Sequence, residues 1–323
     1  MKRQQGLTLV ELIVASAIGL FVIGGAYSLF GLSARSVQST GHYNQLQSSA
    51  SMALSMLHDD LAQAGFFADL TGMDLVVGSN LGALPILTGV DCQGNGTNNQ
   101  TFPTGMGHFR TLWAYSHQTT PLIDCIAALQ SGSDVLQLKR LIGPELAAGS
   151  EQSDRYYFIN NLTQGQFYAG GMSTPALIGG RVWQYQHRIY YVAPNIDGVP
   201  SLYRRSLTAV GLMDQVEELV IGVEEIKYLF GVDQDGDSTV DSYLTTTQIS
   251  EAIWDQLGDN RIVAVRVYLL LRSSDTDNAL TDTEARIFVM PDANKVVVAD
   301  KHRRRLISTT VMMRNPVLTA RKD

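Results

Sequence analysis

The sequence is poor in cysteine and in charge. Its 323 residues contain two cysteines, and Asp, Glu, Lys and Arg together make up 17% of the chain. Two cysteines form at most one bridge, which excludes a minimal scaffold held together by several disulfides. The 31 acidic and 24 basic residues give a net charge of −7, which argues against nucleic-acid binding over the whole surface.

Familiar catalytic motifs are also missing. The sequence has no Gly-x-Ser-x-Gly nucleophile elbow, no P-loop and no His-rich motif of metal-dependent hydrolases. None of the six histidines forms a local signature with a cysteine, so Cys-His catalysis has no support. A Ser-His-Asp arrangement assembled from distant residues stays open, but the sequence does not predict an enzyme.

One long hydrophobic run is present, at the amino terminus. Residues Leu7–Phe30 contain a single charge, Glu11, and at about 1.5 Å per residue the run can cross a hydrocarbon core. Lys2 and Arg3 precede it, and the positive-inside bias sends everything after the run out of the cytoplasm. The segment Gly31–Ala34 has a leucine where a secretory cleavage site needs a small residue, which disfavours an ordinary signal peptide.

Glu11 is the unusual residue of this run. A carboxylate within a spanning helix costs about 3 kcal/mol and is usually kept where it faces a partner. The alternative is that Glu11, about 6 Å along the axis from Leu7, lies at headgroup level. We interpret Glu11 as a functional residue.

The hydrophobic run continues into an amphipathic helix. Residues 33–65 contain no proline, and apolar side chains recur there at three- and four-residue steps. We predict one helix with a spanning segment, 7–32, and an amphipathic segment, 33–66, that lies against a globular head. The predicted stripe is Tyr43, Leu46, Ala50, Ala53, Leu54, Leu57, Leu61 and Ala64.

The head is predicted to comprise residues 67–323. Residues 70–132 are rich in Gly, Asn, Thr and Pro, which is typical of loops. After them, β-branched and aromatic segments alternate with turn residues, so we predict an α+β protein whose long helix packs on an antiparallel sheet. The predicted strands are Asp134–Arg140, Arg155–Ile159, Val182–Val192, Ser201–Arg205, Val216–Phe230, Arg261–Arg272, Ala285–Met290 and Leu306–Arg314.

The two cysteines, Cys92 and Cys125, lie in the exported part of the chain. Oxidising conditions there favour a disulfide over two free thiols. In the chain-entropy model a bridge closing a loop of this length contributes about 3–4 kcal/mol.

An acidic loop follows one of the predicted strands. Asp233, Asp235, Asp237 and Asp241 surround Gly236, and such a turn can direct several hard oxygens at one calcium ion. The spacing is not that of an EF-hand. The alternative is a solvated hairpin loop in which Asp-Gly serves the turn alone.

A basic run lies near the end of the chain, between Asp300 and Pro316. A phosphate-binding patch is one interpretation. No stacking aromatic residues are interleaved with Arg303, Arg304 and Arg305, so we favour a structural role, and nucleic acid is not an expected partner.

The amino terminus resembles a known signal. Gly6 followed by Leu7-Thr8-Leu9-Val10-Glu11 is similar to the prepilin signal of type IV pilins and type II secretion pseudopilins. The resemblance implies that a prepilin peptidase removes residues 1–6 and that the new terminal amine, on Leu7, is methylated. It also implies that Glu11 meets the cationic terminus of a neighbouring subunit in a filament core, where a slipped register leaves a charge unpaired.

Three further stretches narrow the resemblance. The motif His58–Phe66, the Asp-rich loop and Arg314-Asn315-Pro316 resemble PilW-type minor pilins and the related J-type pseudopilins. Those relatives often carry a cysteine directly after the first motif, whereas Phe67 stands here, so the cysteine placement departs from the pattern.

The resemblance implies a type IV pilin-like fold and a minor pilin. Such a protein sits in the inner membrane with its head in the periplasm, joins other minor pilins and the major pilin, and primes pilus assembly. It is expected at the fibre tip beside a tip adhesin, supporting twitching motility and adhesion. A J-type pseudopilin and a membrane-anchored calcium-binding module that never polymerises remain the alternatives.

Overall fold

The structure, a computed structural model, describes residues 8–87, 89–104, 107–123, 125–147 and 149–315. One long helix precedes a head built mainly of antiparallel strands, which confirms the predicted α+β fold. The elements are α1 (Leu9–Ala62), a 3₁₀ turn (Ala68–Leu70), β1 (Leu112–Ser116), β2 (Asp134–Leu146), β3 (Tyr156–Asn160), β4 (Gly165–Ala169), β5 (Arg181–Pro194), β6 (Pro200–Thr208), β7 (Leu212–Ile221), β8 (Val223–Asp233), β9 (Ser242–Thr245), α2 (Glu251–Trp254), β10 (Arg261–Thr276), β11 (Arg286–Val289), β12 (Lys295–Val298) and β13 (His302–Met312).

Helix α1 has 54 residues and is therefore about 80 Å long. It is long and apolar enough to span a membrane, and no other part of the chain that the structure describes buries its most apolar stretch. The helix ends a few residues earlier than predicted, because Gly65 adopts a left-handed backbone with φ of 73°, a conformation that glycine takes without steric cost.

The second half of α1 packs on the head. Its stripe contacts β10 and β13, and six of the eight predicted stripe residues are at most 1% exposed. Leu54 is half-buried, whereas Tyr43 is 47% exposed and instead lies under the guanidinium of Arg303. Burial of such an apolar face is the main source of stability for a helix in a folded protein.

Two main sheets form the head. The larger has seven strands with the path β1-β2-β5-β3-β4, and β6 and β7 extend it from the second half of β5. The smaller has the order β13-β10-β8-β9, and β11 with β12 forms a separate two-stranded ribbon. All strand pairs in these three sheets are antiparallel.

The predicted strand Val216–Phe230 is wrong in one respect, since the structure divides it between two sheets. The chain leaves β7 and enters β8 at Gly222, where φ is 88°. A Cβ atom there would lie 2.4 Å from the carbonyl oxygen of Arg272, so only glycine fits this crossing. Four strands were not predicted: β1, β4, β9 and β12.

Candidate functional site

The candidate processing and assembly residues lie at the start of α1. Gly6 and Leu7 fall outside the described residues, so their role stays a prediction. Glu11 is exposed in the first turn, and its Oε2 accepts hydrogen bonds from the Thr8 backbone N–H (2.9 Å) and hydroxyl (2.8 Å). Thr8 Oγ1 accepts in turn from the Glu11 N–H at 3.3 Å, which completes a capping box. In the single chain, the carboxylate of Glu11 thus has only a local partner among the described residues.

The other end of α1 is fixed by a buried carboxylate. Asp60, which is 2% exposed, accepts hydrogen bonds from Arg140 on β2 (2.6 Å) and from Arg188 on β5 (2.7 and 2.8 Å). The hydroxyl of Tyr190 donates a further bond of 2.5 Å. We call this group, Asp60 with Arg140, Arg188 and Tyr190, the Asp60 clamp, because it joins the last turns of the helix to two adjacent strands.

The electrostatics of the clamp favour the ionised acid. Burial alone would raise the pKa of Asp60, but the charges and hydrogen bonds of Arg188 and Arg140 and the bond from Tyr190 outweigh burial, so the pKa lies below its usual value. The carboxylate of Asp60 is therefore ionised at neutral pH, and it is paired with the two arginines.

The chain after α1 is tied to the same region. The carbonyl of Phe66 accepts from the N–H of Leu141 (2.9 Å), and the Phe66 ring meets Trp183 edge-on at 5.6 Å. The side-chain amide of Asn315 donates to the carbonyl of Ala64 at 3.0 Å. Two of the stretches that carried the resemblance, the helix end and the terminal Arg-Asn, thus meet in space although about 250 residues separate them.

The predicted disulfide between Cys92 and Cys125 is confirmed, with the two Cα atoms 5.4 Å apart. It closes part of the region predicted as a loop. Apart from β1, the described part of that region is irregular as predicted. It is not a solvated surface loop, because Asn99 and Thr101 are fully buried.

Lys139 explains this burial. It lies on β2 with no exposed surface, and its ammonium donates to the Asn99 carbonyl (3.0 Å), the Asn99 side chain (2.8 Å) and the Arg110 carbonyl (2.9 Å). Arg110 is itself paired with Asp255 (2.6 Å) and Glu251. The loop is thus held by the buried amino group of Lys139 as well as by the disulfide, since buried N–H donors need acceptors.

The structure brings three of the four predicted metal ligands together. One carboxylate oxygen from each of Asp233, Asp235 and Asp237 lies within 4.8 Å of the others. Asp233 is fully buried and accepts from the backbone N–H groups of Gly236 and Ser238, both at 2.8 Å. Asp241 lies apart from the three and accepts from the Gln234 N–H at 2.7 Å, which orders the loop backbone.

The basic run near the end of the chain is largely neutralised by acidic neighbours. Arg304 forms ion pairs with Glu224 and Asp300, and its side chain is 2% exposed. Arg303 is paired with Asp277 at 2.5 Å. This geometry favours the structural interpretation over a phosphate-binding patch.

The His58–Phe66 motif is recognisable in the sequence, but the clamp within it was not predicted. The available signal was spacing, because Asp60 lies three residues after Leu57 and therefore on the buried face of α1. A charge on that face requires partners. Which partners it has follows only from the pairing of β2 with β5.

Comparison with protein families gives two matches. The family described as type IV pilus-assembly protein W matches residues 189–315, which run from the middle of β5 through the closing Asn315. The prokaryotic N-terminal methylation motif matches residues 1–27. No curated protein and no solved structure matches the chain.

The matched segments lie at the two ends of one architecture. The methylation motif covers the start of the apolar helix, which indicates single-pass membrane anchoring. The second match covers much of the sheet against which that helix packs. Both matches indicate a structural protein of the pilin type, and such a protein associates with other pilus components. Together these matches and the fold support a type IV minor pilin, similar to the family of type IV pilus-assembly protein W over residues 189–315.

Proposed function

We propose that this chain is a minor pilin that acts in an inner-membrane complex, starts pilus assembly and then stays at the fibre tip. One observation carries the proposal: the apolar first half of α1 is not buried by any other part of the chain that the structure describes. Phe21 and Phe30 are 85% and 74% exposed on it. Such a surface needs lipid or other helices around it, and the methylation motif at its start favours a filament of similar helices.

The head lies on the periplasmic side in this proposal. Lys2 and Arg3 hold the short amino-terminal end in the cytoplasm, and the disulfide suits an oxidising compartment. Because the head packs only on the second half of α1, the first half can pass from lipid into a helical core without disturbing the head.

Glu11 is proposed to set the register in that core. Among the residues that the structure describes it bonds to Thr8 alone, so a carboxylate oxygen can still accept from a second donor. The methylated amine of Leu7 on a neighbouring subunit supplies such a donor. An uncompensated charge in the low-dielectric core is costly, so aligned subunits are favoured over slipped ones.

Two matched variants test this role in cells. Glu11→Ala removes the charge, whereas Thr8→Ala removes the hydroxyl of the capping box and keeps the charge. Both proteins are expected to insert and to lose residues 1–6, as measured by mass spectrometry of the membrane fraction. Immunoblots of sheared fibres are expected to lack Glu11→Ala and to contain Thr8→Ala.

The outcomes separate the candidate functions. Normal incorporation of Glu11→Ala contradicts the register role. Absence of the unaltered protein from fibres, and from crosslinks with other pilins, favours a membrane-anchored module that does not polymerise.

The proposed partners are other minor pilins, the major pilin and a tip adhesin, with the prepilin peptidase as processing enzyme. Deletion of the gene is expected to reduce surface pili, twitching motility and adhesion together. A loss of protein secretion with normal pili would instead support a J-type pseudopilin. The match to a pilus-assembly family favours the first outcome.

We also propose that the acidic loop binds calcium through Asp233, Asp235 and Asp237. Their oxygens are close together, and each carboxylate has free lone pairs beyond those used by backbone N–H groups. Asp241 is proposed to support the loop backbone, because it bonds to Gln234.

Calorimetric titration of the full chain in detergent micelles tests the calcium site. Asp235→Ala is expected to abolish the binding heat, and the matched Asp214→Ala outside the loop to preserve it. The proposal is contradicted if the unaltered protein gives no binding heat and its melting temperature is the same with and without calcium.

A further inference from the structure

A polar cavity lies beside the Asp60 clamp. It has a volume of about 220 Å³ and is lined by β5, β6, β7 and the residues just before β3. Its walls include three arginines, Arg155, Arg188 and Arg204, and three glutamines. Arg188 belongs to both the cavity and the clamp. The volume matches about seven water-sized groups, which is room for a small organic molecule or a side chain.

The strand register explains why these side chains converge. Alternate residues of a strand share a face, so Gln186 and Arg188 project to the same side of β5 as Tyr190. On the neighbouring strand β6, Arg204 lies opposite Tyr190 and Ser206 lies opposite Arg188. Arg188 and Arg204 therefore occupy diagonal positions on adjacent strands, at a separation that long side chains can bridge.

The charges around the cavity do not balance. Asp60 supplies one negative charge to two guanidinium groups, those of Arg140 and Arg188. Arg204 has its own partner, Glu217, at 2.5 Å, and Arg155 lies 3.9 Å from Asp154. The wall formed by Arg188 thus carries one positive charge that no carboxylate neutralises. A positively charged cavity wall attracts an anion.

Donors in the wall also lack acceptors. The Nε–H groups of Arg188 and Arg204 are buried and, like the acceptor Oε1 of Gln186, have no hydrogen-bond partner among the described residues. Buried donors are normally satisfied, and guanidinium donors prefer carboxylate oxygens. No aromatic ring is among the described residues that line the cavity, so nothing there favours the flat apolar face of a larger ligand.

We propose that this cavity is a binding site for a carboxylate, which bridges Arg188 and Arg204 and neutralises the extra positive charge. The carboxylate can belong to a small organic acid or to an acidic side chain of another protein, and both present the same two oxygens. The site is separate from Glu11 and from the acidic loop, and it does not depend on how the protein assembles.

Calorimetric titration of the full chain in detergent micelles, at neutral pH and constant chloride, tests the proposal. Glutarate is the probe for a free acid, and the blocked peptide acetyl-Gly-Glu-Gly-amide is the probe for a side chain. At least one probe is expected to bind saturably, and the tighter of the two identifies the source of the carboxylate.

Gln186→Glu places a carboxylate inside the cavity, and Gln118→Glu is the matched change at an exposed site outside it. Gln186→Glu is expected to abolish probe binding and to raise the melting temperature, whereas Gln118→Glu leaves both unchanged. Arg204→Gln, at a side chain 20% exposed, is expected to weaken binding at least tenfold without unfolding the head. The proposal is overturned if neither probe binds the unaltered protein, or if Gln186→Glu and Arg204→Gln both bind as it does.

Discussion

Removal of the Asp60 carboxylate is expected to be among the most damaging single changes in the head. Asp60→Ala leaves Arg140 and Arg188, whose side chains are 8% and 17% exposed, without their counterion, and removes the acceptor of Tyr190. Removing one partner of a buried ion pair costs about 3–5 kcal/mol. A domain has about 5–15 kcal/mol of stability in total, so the loss is a large fraction of it.

Urea unfolding of the full chain in detergent micelles measures this cost. Trp183, which contacts Phe66 beside the helix end, provides a fluorescence signal for the head. Asp59→Ala is the matched control, because its side chain is 73% exposed and its neighbour His58 is 3.5 Å away. We expect a change below about 0.5 kcal/mol for the control. A change below about 1 kcal/mol for Asp60→Ala would refute the reasoning.

The same clamp predicts a pH dependence. Since the pKa of Asp60 is lowered in the folded protein from its ordinary 3.8, its stabilising contribution is complete above that value and is lost as the pH falls through the folded pKa. The stability of the unaltered protein should therefore decrease below about pH 4. Asp60→Ala should lose less stability over that range, because the group that takes up the proton is gone.

Two further predictions concern the rest of the head. Burial raises the pKa of Glu225 to about 7; Lys227 opposes this rise, and Asp292, Asp134 and Glu224 add to it. The free energy of unfolding should therefore fall as the pH rises from about 4.5 to 7. In urea titrations, Glu225→Gln should show a weaker dependence of this free energy on pH and a gain in stability of about 1–2 kcal/mol at pH 8. Reduction of the disulfide should lower the free energy of unfolding by about 3–4 kcal/mol, and equal urea midpoints with and without reductant would contradict that contribution.

The parts of the fold predicted from the sequence are those that depend on local spacing. The stripe from Leu46 to Leu61 follows from three- and four-residue steps, and all of its residues except the half-buried Leu54 are buried as predicted. The division of Val216–Phe230 into β7 and β8 was not predictable in this way, because both strands have the same alternation of apolar and polar residues. Only the close approach of Gly222 to Arg272 shows where one sheet ends and the next begins.

The candidate sites divide in a similar way. Cys92 and Cys125 were predictable as a pair because no other cysteine competes. The buried loop around Asn99 was not, because its composition is that of a solvated turn and its stability comes from Lys139, 40 residues away. The clamp likewise joins Asp60 to groups 80 and 128 residues distant, and such pairings depend on tertiary structure.

The alignment of the head along α1 has a mechanical consequence. Its buried contacts extend from Leu46 to Leu61, about 23 Å parallel to the helix axis, with the clamp at their far end. A force that pulls the head along this axis loads all these contacts at once, in shear. A sideways force would break them one after another from one end, so the subunit should resist tension along a fibre far better than peeling.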